Sequence, residues 1–199
     1  RQGWAGRATY DYDNRYLIEF NFGYNGSENF PEGSKYGFFP SGSVGWVPTN
    51  ESFWNLDFVN HLKFRVSYGL VGNDQIGGDR FLFLSSINKN VNGYFYGLSQ
   101  QHVQGWTEDK IGVSNVTWET ATKFDLGLDL ELFNGKVSLQ ADYFNEDRDG
   151  ILLRRGVVPN ITGMTSNQIP WANIGIVKNS GFDGRLEIRN TTSFGLYYS

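Results

Sequence analysis

Residues 118–144, WETATKFDLGLDLELFNGKVSLQADYF, constrain this chain more than any other stretch. Phe124, Leu126, Leu128, Leu130 and Leu132 alternate with Lys123, Asp125, Gly127, Asp129 and Glu131. Beyond Asn134-Gly135, Val137, Leu139, Ala141 and Tyr143 alternate with Lys136, Ser138, Gln140 and Asp142. A period of two places one face of each strand in an apolar medium and the other in water. Asn-Gly between two such runs predicts a hairpin closed by a type I′ turn, because both residues tolerate positive φ. The first strand, ending at Leu132, is far longer than the ~5–6 residues usual in globular proteins. A strand that crosses a bilayer needs about 9–11 residues. The question the hairpin poses is whether lipid or protein covers its apolar face.

Composition narrows the answer without settling it. Net charge is −4, which argues against a nucleic-acid partner, since a phosphate-binding surface needs excess Lys and Arg. There is no cysteine, so disulfides and thiolate metal sites are excluded. His61 and His102 are the only imidazoles, and neither has neighbours at metal-ligand spacing. Aromatics reach 17% and there are 25 glycines, a balance that suits an outer-membrane barrel and equally a soluble β-sandwich. No stretch is apolar for long enough to form a transmembrane helix, which says nothing of spanning strands.

The rest of the chain repeats the alternating pattern. Strands are predicted at 4–12 and 16–24 around an Asp13-Asn14-Arg15 turn, at 36–47, at 62–70 and at 179–189. Pro40 predicts an irregularity in the third. Asn190-Thr191-Thr192 reads as a turn and the final residues as the start of another strand. Residues 25–35 form a polar loop, and 48–61 a connector with room for a helical turn. Residues 72–117 and 145–178 read as long irregular stretches, with 80–84 and 93–98 pairing locally. Connections therefore alternate between short and long. An up-and-down barrel in an outer membrane keeps short turns at one end and long loops at the other, whereas a sandwich has no reason to keep that parity. The expectation is an all-β, antiparallel, up-and-down transmembrane barrel segment. The chain starts and stops inside strand patterns, so the expectation is also that it is part of a longer polypeptide.

Specific stretches then resemble a known family. GRATYDYDNRYLIEFNFGYNGSENF (6–30), YGFFPSGSVGW (36–46), LKFRVSYGLVGNDQIGG (62–78) and DLGLDLELFNGKVSLQADYFNEDRDGIL (125–152) resemble the barrel of SusC/RagA-type TonB-dependent outer-membrane transporters of Bacteroidetes-type bacteria. Pro159 to Gly163 and NIGIVKNSGFDGRLEI (173–188) fit the same pattern. The resemblance implies that residues 1–199 supply about eight strands of a barrel of about 22 strands. It implies a plug domain and a TonB box outside this segment, a SusD-like surface lipoprotein over the extracellular mouth, and import of oligosaccharide or peptide driven by TonB. A passive porin-like channel and a soluble carbohydrate-binding β module are the rivals.

Motif by motif, chemistry is sparse. Gly72 to Asp79 offers closely spaced oxygens but lacks the spacing of a calcium loop, and reads as a strand-exit turn. Glu146 to Gly150 reads as the start of a solvated loop. Asn25, Asn50, Asn115, Asn160 and Asn190 begin N-x-S/T triplets, which carry no weight in a bacterial protein. No nucleophile–base pair, phosphate loop or cofactor motif is visible, so no enzymatic activity, cofactor or metal is expected. Candidate ligand or partner contacts are the loop aromatics Tyr94, Phe95, Tyr96, Trp106 and Trp171, since flat rings stack on sugar C–H faces and loops over a barrel mouth meet ligands first. Arg7, Glu19, Lys63, Arg65, Asp125, Asp129, Arg185 and Glu187 are expected to face a wet lumen.

Overall fold

The computed structural model describes residues 1–75, 80–157, 159–165, 168–191 and 197–198. Seven strands form one antiparallel sheet: β1 (Gln2–Tyr12), β2 (Tyr16–Gly26), β3 (Tyr36–Trp46), β4 (Val59–Asn73), then β7 (Glu119–Leu132), β8 (Val137–Arg154) and β9 (Trp171–Ile188). Each strand pairs with the next in that order. Between β4 and β7 the chain makes a separate hairpin, β5 (Ser86–Tyr96) and β6 (Gln101–Lys110). Asn190–Thr191 (β10) pairs with Tyr197–Tyr198 (β11), so the turn expected at 190–192 begins instead as a short paired strand. Thr192 and most of the expected last strand lie outside the described residues.

Register confirms the two faces. Crossing the sheet, Trp46, Phe64, Leu128, Ala141 and Gly184 lie side by side, as do Val44, Val66, Leu126, Tyr143 and Phe182. The apolar stripe runs from Tyr16 to Tyr24 on β2 and from Phe124 to Leu132 on β7, the length a tilted strand needs to cross a bilayer. On β8 and β9 the same face turns polar at Asn145, Asp147, Lys178 and Ser180, where the strands run past the stripe. Eighteen residues in each of these strands, rising about 3.4 Å apiece, reach about 60 Å and project well beyond a ~30 Å hydrocarbon core.

Among the described residues nothing covers the apolar face. The buried apolar side chains among the described residues are Phe30, Val47, Pro48, Leu82, Val116, Ala121 and Ala172, and none belongs to the stripe. Ile18, Phe20 and Phe182 are 51%, 48% and 85% exposed. A sandwich would lay a second sheet on this surface about 10 Å away. A patch this large is not left to water. Aromatic rings mark both borders: Tyr12, Tyr16 and Trp46 at one, and Trp4, Tyr24 and Tyr36 at the other, with Tyr24 stacked on Tyr36 at 5.3 Å. Two such girdles belong at two water–lipid interfaces.

The connections sort by end. At the turn end, Asp13 and Asn14 have φ of 55° and 52°, and Arg15 N–H donates to the Tyr12 carbonyl at 3.0 Å. The β7–β8 turn has positive φ at Asn134 (57°) and Gly135 (76°), as a type I′ turn requires, and additionally at Phe133 (55°). The third turn-end connector starts with a 3₁₀ turn at Pro48–Asn50. At the loop end lie 27–35, 74–118 and 155–170. The last is much shorter than the irregular stretch expected over 145–178, because β8 continues to Arg154 and β9 begins at Trp171. A bulge hid this continuation. The β8–β9 register shifts between Arg148 and Leu152, where Gly150 has φ of 71°, and the alternation breaks. Residues 80–84 form a turn rather than a strand, and the local pair is β5 with β6. Pro40 does not disturb pairing with Phe22 on β2; the β3–β4 ladder instead stops beside it, at Ser41.

Candidate functional site

The inner face carries the polar chemistry. Because side chains alternate, every charge expected to face the lumen shares that face: Arg7, Glu19, Lys63, Arg65, Asp125, Asp129, Arg185 and Glu187. Arg65 on β4 reaches across β7. Its Nη2 donates to Asp129 Oδ1 at 3.1 Å and to Asp142 Oδ1, on β8, at 2.9 Å. Gly127 lies between Arg65 and Asp142 in the register, and a Cβ there would overlap Asp142 Oδ1 and lie 2.8 Å from Arg65 Cζ. The missing side chain is what lets one guanidinium tie three strands together. Ser67 donates to Asp125 at 3.1 Å, and Arg7 pairs with Glu19 at 2.6 Å. Thr9, Glu19, Ser43, Lys63, Ser67 and Asp125 line a trough of about 590 Å³ on this wall. Glu146 and Arg148, expected to begin a solvated loop, sit inside β8 and extend the ion ladder: Arg148 bridges Glu146 at 2.7 Å and Glu119 at 3.2 Å.

The loop end is tied into one platform. Phe30, Leu82 and Val116 are buried together, with Phe83, Trp118, Leu152 and Trp171 packed against them. Trp118 is the hub. Its ring lies 5.1 Å from Phe30 and 5.2 Å from Phe39, and its Nε1 donates to the Ser34 carbonyl at 3.1 Å. Asn173 Nδ2 donates to the carbonyls of Thr117 and Gly150 at 2.9 and 2.7 Å. Asp74, at the exit of β4, is buried and accepts from Ser27 at 2.7 Å and from Arg1. In the 27–35 loop, hydrogen bonding from Lys35 at 2.7 Å holds Glu28 below the usual carboxylate range. Ile76 to Asp79 of the strand-exit turn lie outside the described residues.

The aromatic candidates divide. Tyr94, Phe95 and Tyr96 end β5, and with Gly97 and Gln100 they form a notch of about 530 Å³ at the hairpin tip. Phe95 packs on His102 at 4.7 Å. Trp106 lies on β6, farther from the tip, with the Lys89 ammonium 4.9 Å from its ring. These four are strand residues of the hairpin rather than irregular loop. Trp171 stands elsewhere. It opens β9, with the Arg154 guanidinium 4.9 Å from its ring, and packs against the loop-end cluster. The cluster itself and the Arg65 tie were not visible in the sequence, because their members are isolated apolar or charged residues far apart in the chain.

A one-layer antiparallel wall, apolar and girdled on one side, polar and ion-paired on the other, defines a segment of a transmembrane β-barrel. Residues 2–199 match the family described as "TonB dependent receptor-like, beta-barrel", and the chain belongs to it. It is similar to TonB-dependent receptor P3 of Formosa agariphila, with 34% identity over 94% of this chain and 18% of that protein. It is also similar to TonB-dependent receptor SusC of Bacteroides thetaiotaomicron, with 31% identity over 89% of this chain and 17% of that protein. The chain thus spans less than a fifth of the length of these relatives. Among solved structures, the RagAB peptide importer in its closed-closed state superposes with a TM-score of 0.80 at 22% identity, covering 96% of this chain and 20% of that one. The siderophore receptor PirA of Pseudomonas aeruginosa gives 0.58 at 12% identity, over 92% of this chain and 30% of that one. These two likenesses concern the fold.

Proposed function

We propose that residues 1–199 are part of the barrel domain of an active importer in the outer membrane of a Bacteroidetes-type bacterium. The plug and TonB box would come from other parts of the polypeptide, which would complete a barrel of about 22 strands. A SusD-like lipoprotein would close the extracellular mouth, and TonB would drive release of an oligosaccharide, or a peptide, through the lumen. One observation carries this reading: the stripe is as tall as a bilayer is thick and is uncovered, while the opposite face is a continuous polar ladder around a trough. Membership of the family and similarity to SusC support it. In this reading the chain's role is passage and gating, and the wall needs no catalytic group. Tyr94, Phe95, Tyr96, Trp106 and Trp171 are proposed as contacts to the cargo or the lid.

Uptake by the native host tests the proposal. Cells carrying the full-length polypeptide take up labelled oligosaccharide or peptide from the medium, and deletion of either its gene or the TonB gene abolishes that uptake. Uptake that persists without TonB points instead to a passive channel.

A further inference from the structure

We infer that the outer part of the β5–β6 hairpin is a binding arm for an uncharged oligosaccharide. The inference deepens the importer reading and takes from it only that the hairpin lies outside the cell.

The first observation is electrostatic. From Asn90 to Thr107 there is no Asp, Glu, Lys or Arg, whereas Lys89, Glu108, Asp109 and Lys110 crowd the root. A charged ligand held at the tip would lose hydration and find no opposite charge. A sugar ring asks for different groups, apolar faces and amide donors and acceptors, and both are present. Tyr94 and Tyr96 are 77% and 54% exposed, and Trp106, nearer the root, is 67% exposed with the Lys89 ammonium over its ring. Tyr94 and Tyr96 share one side of β5, and the notch beside them ends at Gln100. Across the ribbon, Gln104 Nε2 donates to Asn90 Oδ1 at 3.1 Å, which fixes both amides and leaves their other polar atoms for a ligand.

The second observation is that the hairpin is anchored away from these rings. A two-stranded ribbon has no core of its own. Its attachment lies at the base, where Val113 N–H donates to the Leu82 carbonyl at 2.8 Å, Lys110 Nζ to the Arg80 carbonyl at 3.1 Å and Gln168 Nε2 to the Glu108 carbonyl at 2.6 Å. The third observation separates glycan from peptide. A peptide captured by backbone pairing needs a regular strand edge. The β5–β6 register shifts between Ser86 and Ile87, between Asn88 and Val91, and between Val91 and Tyr94. Such bulges frustrate strand addition and leave recognition to side chains.

The test uses the full-length polypeptide in detergent, titrated with hexasaccharides of laminarin, xylan and mannan as neutral probes, alginate hexasaccharide as the anionic probe, and a tryptic peptide pool. Calorimetry should show binding of at least one neutral hexasaccharide. The double variant Tyr94→Ala/Tyr96→Ala should weaken it about tenfold, the loss that truncating aromatic hot spots brings. Tyr94→Phe/Tyr96→Phe, which keeps the rings, should retain it, and the alanine variant should keep the wild-type far-UV circular dichroism and urea midpoint, so that lost stacking is told apart from a folding defect. Binding of alginate or peptides alone, binding of no neutral probe, or neutral binding indifferent to the alanine variant overturns the inference. TonB-dependent uptake that persists alongside any of these leaves the importer reading standing. Ring-dependent neutral binding with TonB-independent uptake would sink the importer reading alone.

Discussion

Gly127 and Arg65 show what single residues do in this wall. A methyl group on Gly127 would displace the guanidinium that joins β4 to Asp142 on β8. Gly127→Ala should cost about 1 kcal/mol, because the ends of Arg65 and Asp142 can swing aside and what is lost is their partly exposed ion pair. The cost is read as a lowered urea midpoint of the full-length protein in lipid. Gly33→Ala, at an open position, is the control and should stay within about 0.5 kcal/mol. Glu51, in the turn-end connector, gives a pH signature. Hydrogen bonding from Tyr16, and then from Trp46, holds its carboxyl below the ordinary glutamate value despite partial desolvation. A depressed folded pKa means that its stabilising contribution is complete above the unfolded value of about 4.3 and is lost as pH falls through the folded value. Urea midpoints at pH 6 and pH 3 should therefore differ more for the wild-type protein than for Glu51→Gln. An equal pH dependence in the two would contradict this assignment.

Elements were legible where one medium lay on each side of them. The nine-residue stripes on β2 and β7 alternate because lipid and water dictate alternate residues, and the Asn134-Gly135 turn announces itself through the φ values it needs. Above the stripe β8 and β9 leave the bilayer, Leu152 and Trp171 turn to the loop-end cluster, and the bulge at Gly150 shifts the phase, so the extensions past Asn145 and before Lys178 carried no single period to read. The β5–β6 hairpin was obscured by its register breaks. The Arg65 tie needed the register of three strands, and the Trp118 hub needed loops folded over one another. Neither is a local property of the sequence. Trp118→Ala tests the hub. The wall should persist, with far-UV circular dichroism unchanged, while limited proteolysis of 74–118 speeds up because Phe30 and Phe39 lose their common partner. Unchanged proteolysis would mean that the loops are held by other contacts.

At the scale of the barrel, lipid outside the wall is what makes the apolar stripe stable. An arginine placed along β7 measures its depth. Leu128→Arg, in the middle of the stripe, should cost about 2–4 kcal/mol, and Leu132→Arg, at its border, about 0–1 kcal/mol. Folding into vesicles at graded urea concentration reads both. A face covered by protein would penalise both positions without regard to depth.

The most direct measurement exploits the absence of native cysteine in this segment. Single cysteines are placed in turn at positions 123 to 132 of β7 in the full-length protein, reconstituted in vesicles and labelled with a small fluorophore. Quenching by a lipid-chain quencher and by an aqueous quencher is then compared. A wall with lipid on one side and water on the other gives a period of two: positions 124, 126, 128, 130 and 132 quenched from the lipid, and positions 123, 125, 127, 129 and 131 from water. Positions on both faces quenched alike from water, with none quenched from the lipid, would contradict the assignment of this sheet to a membrane wall.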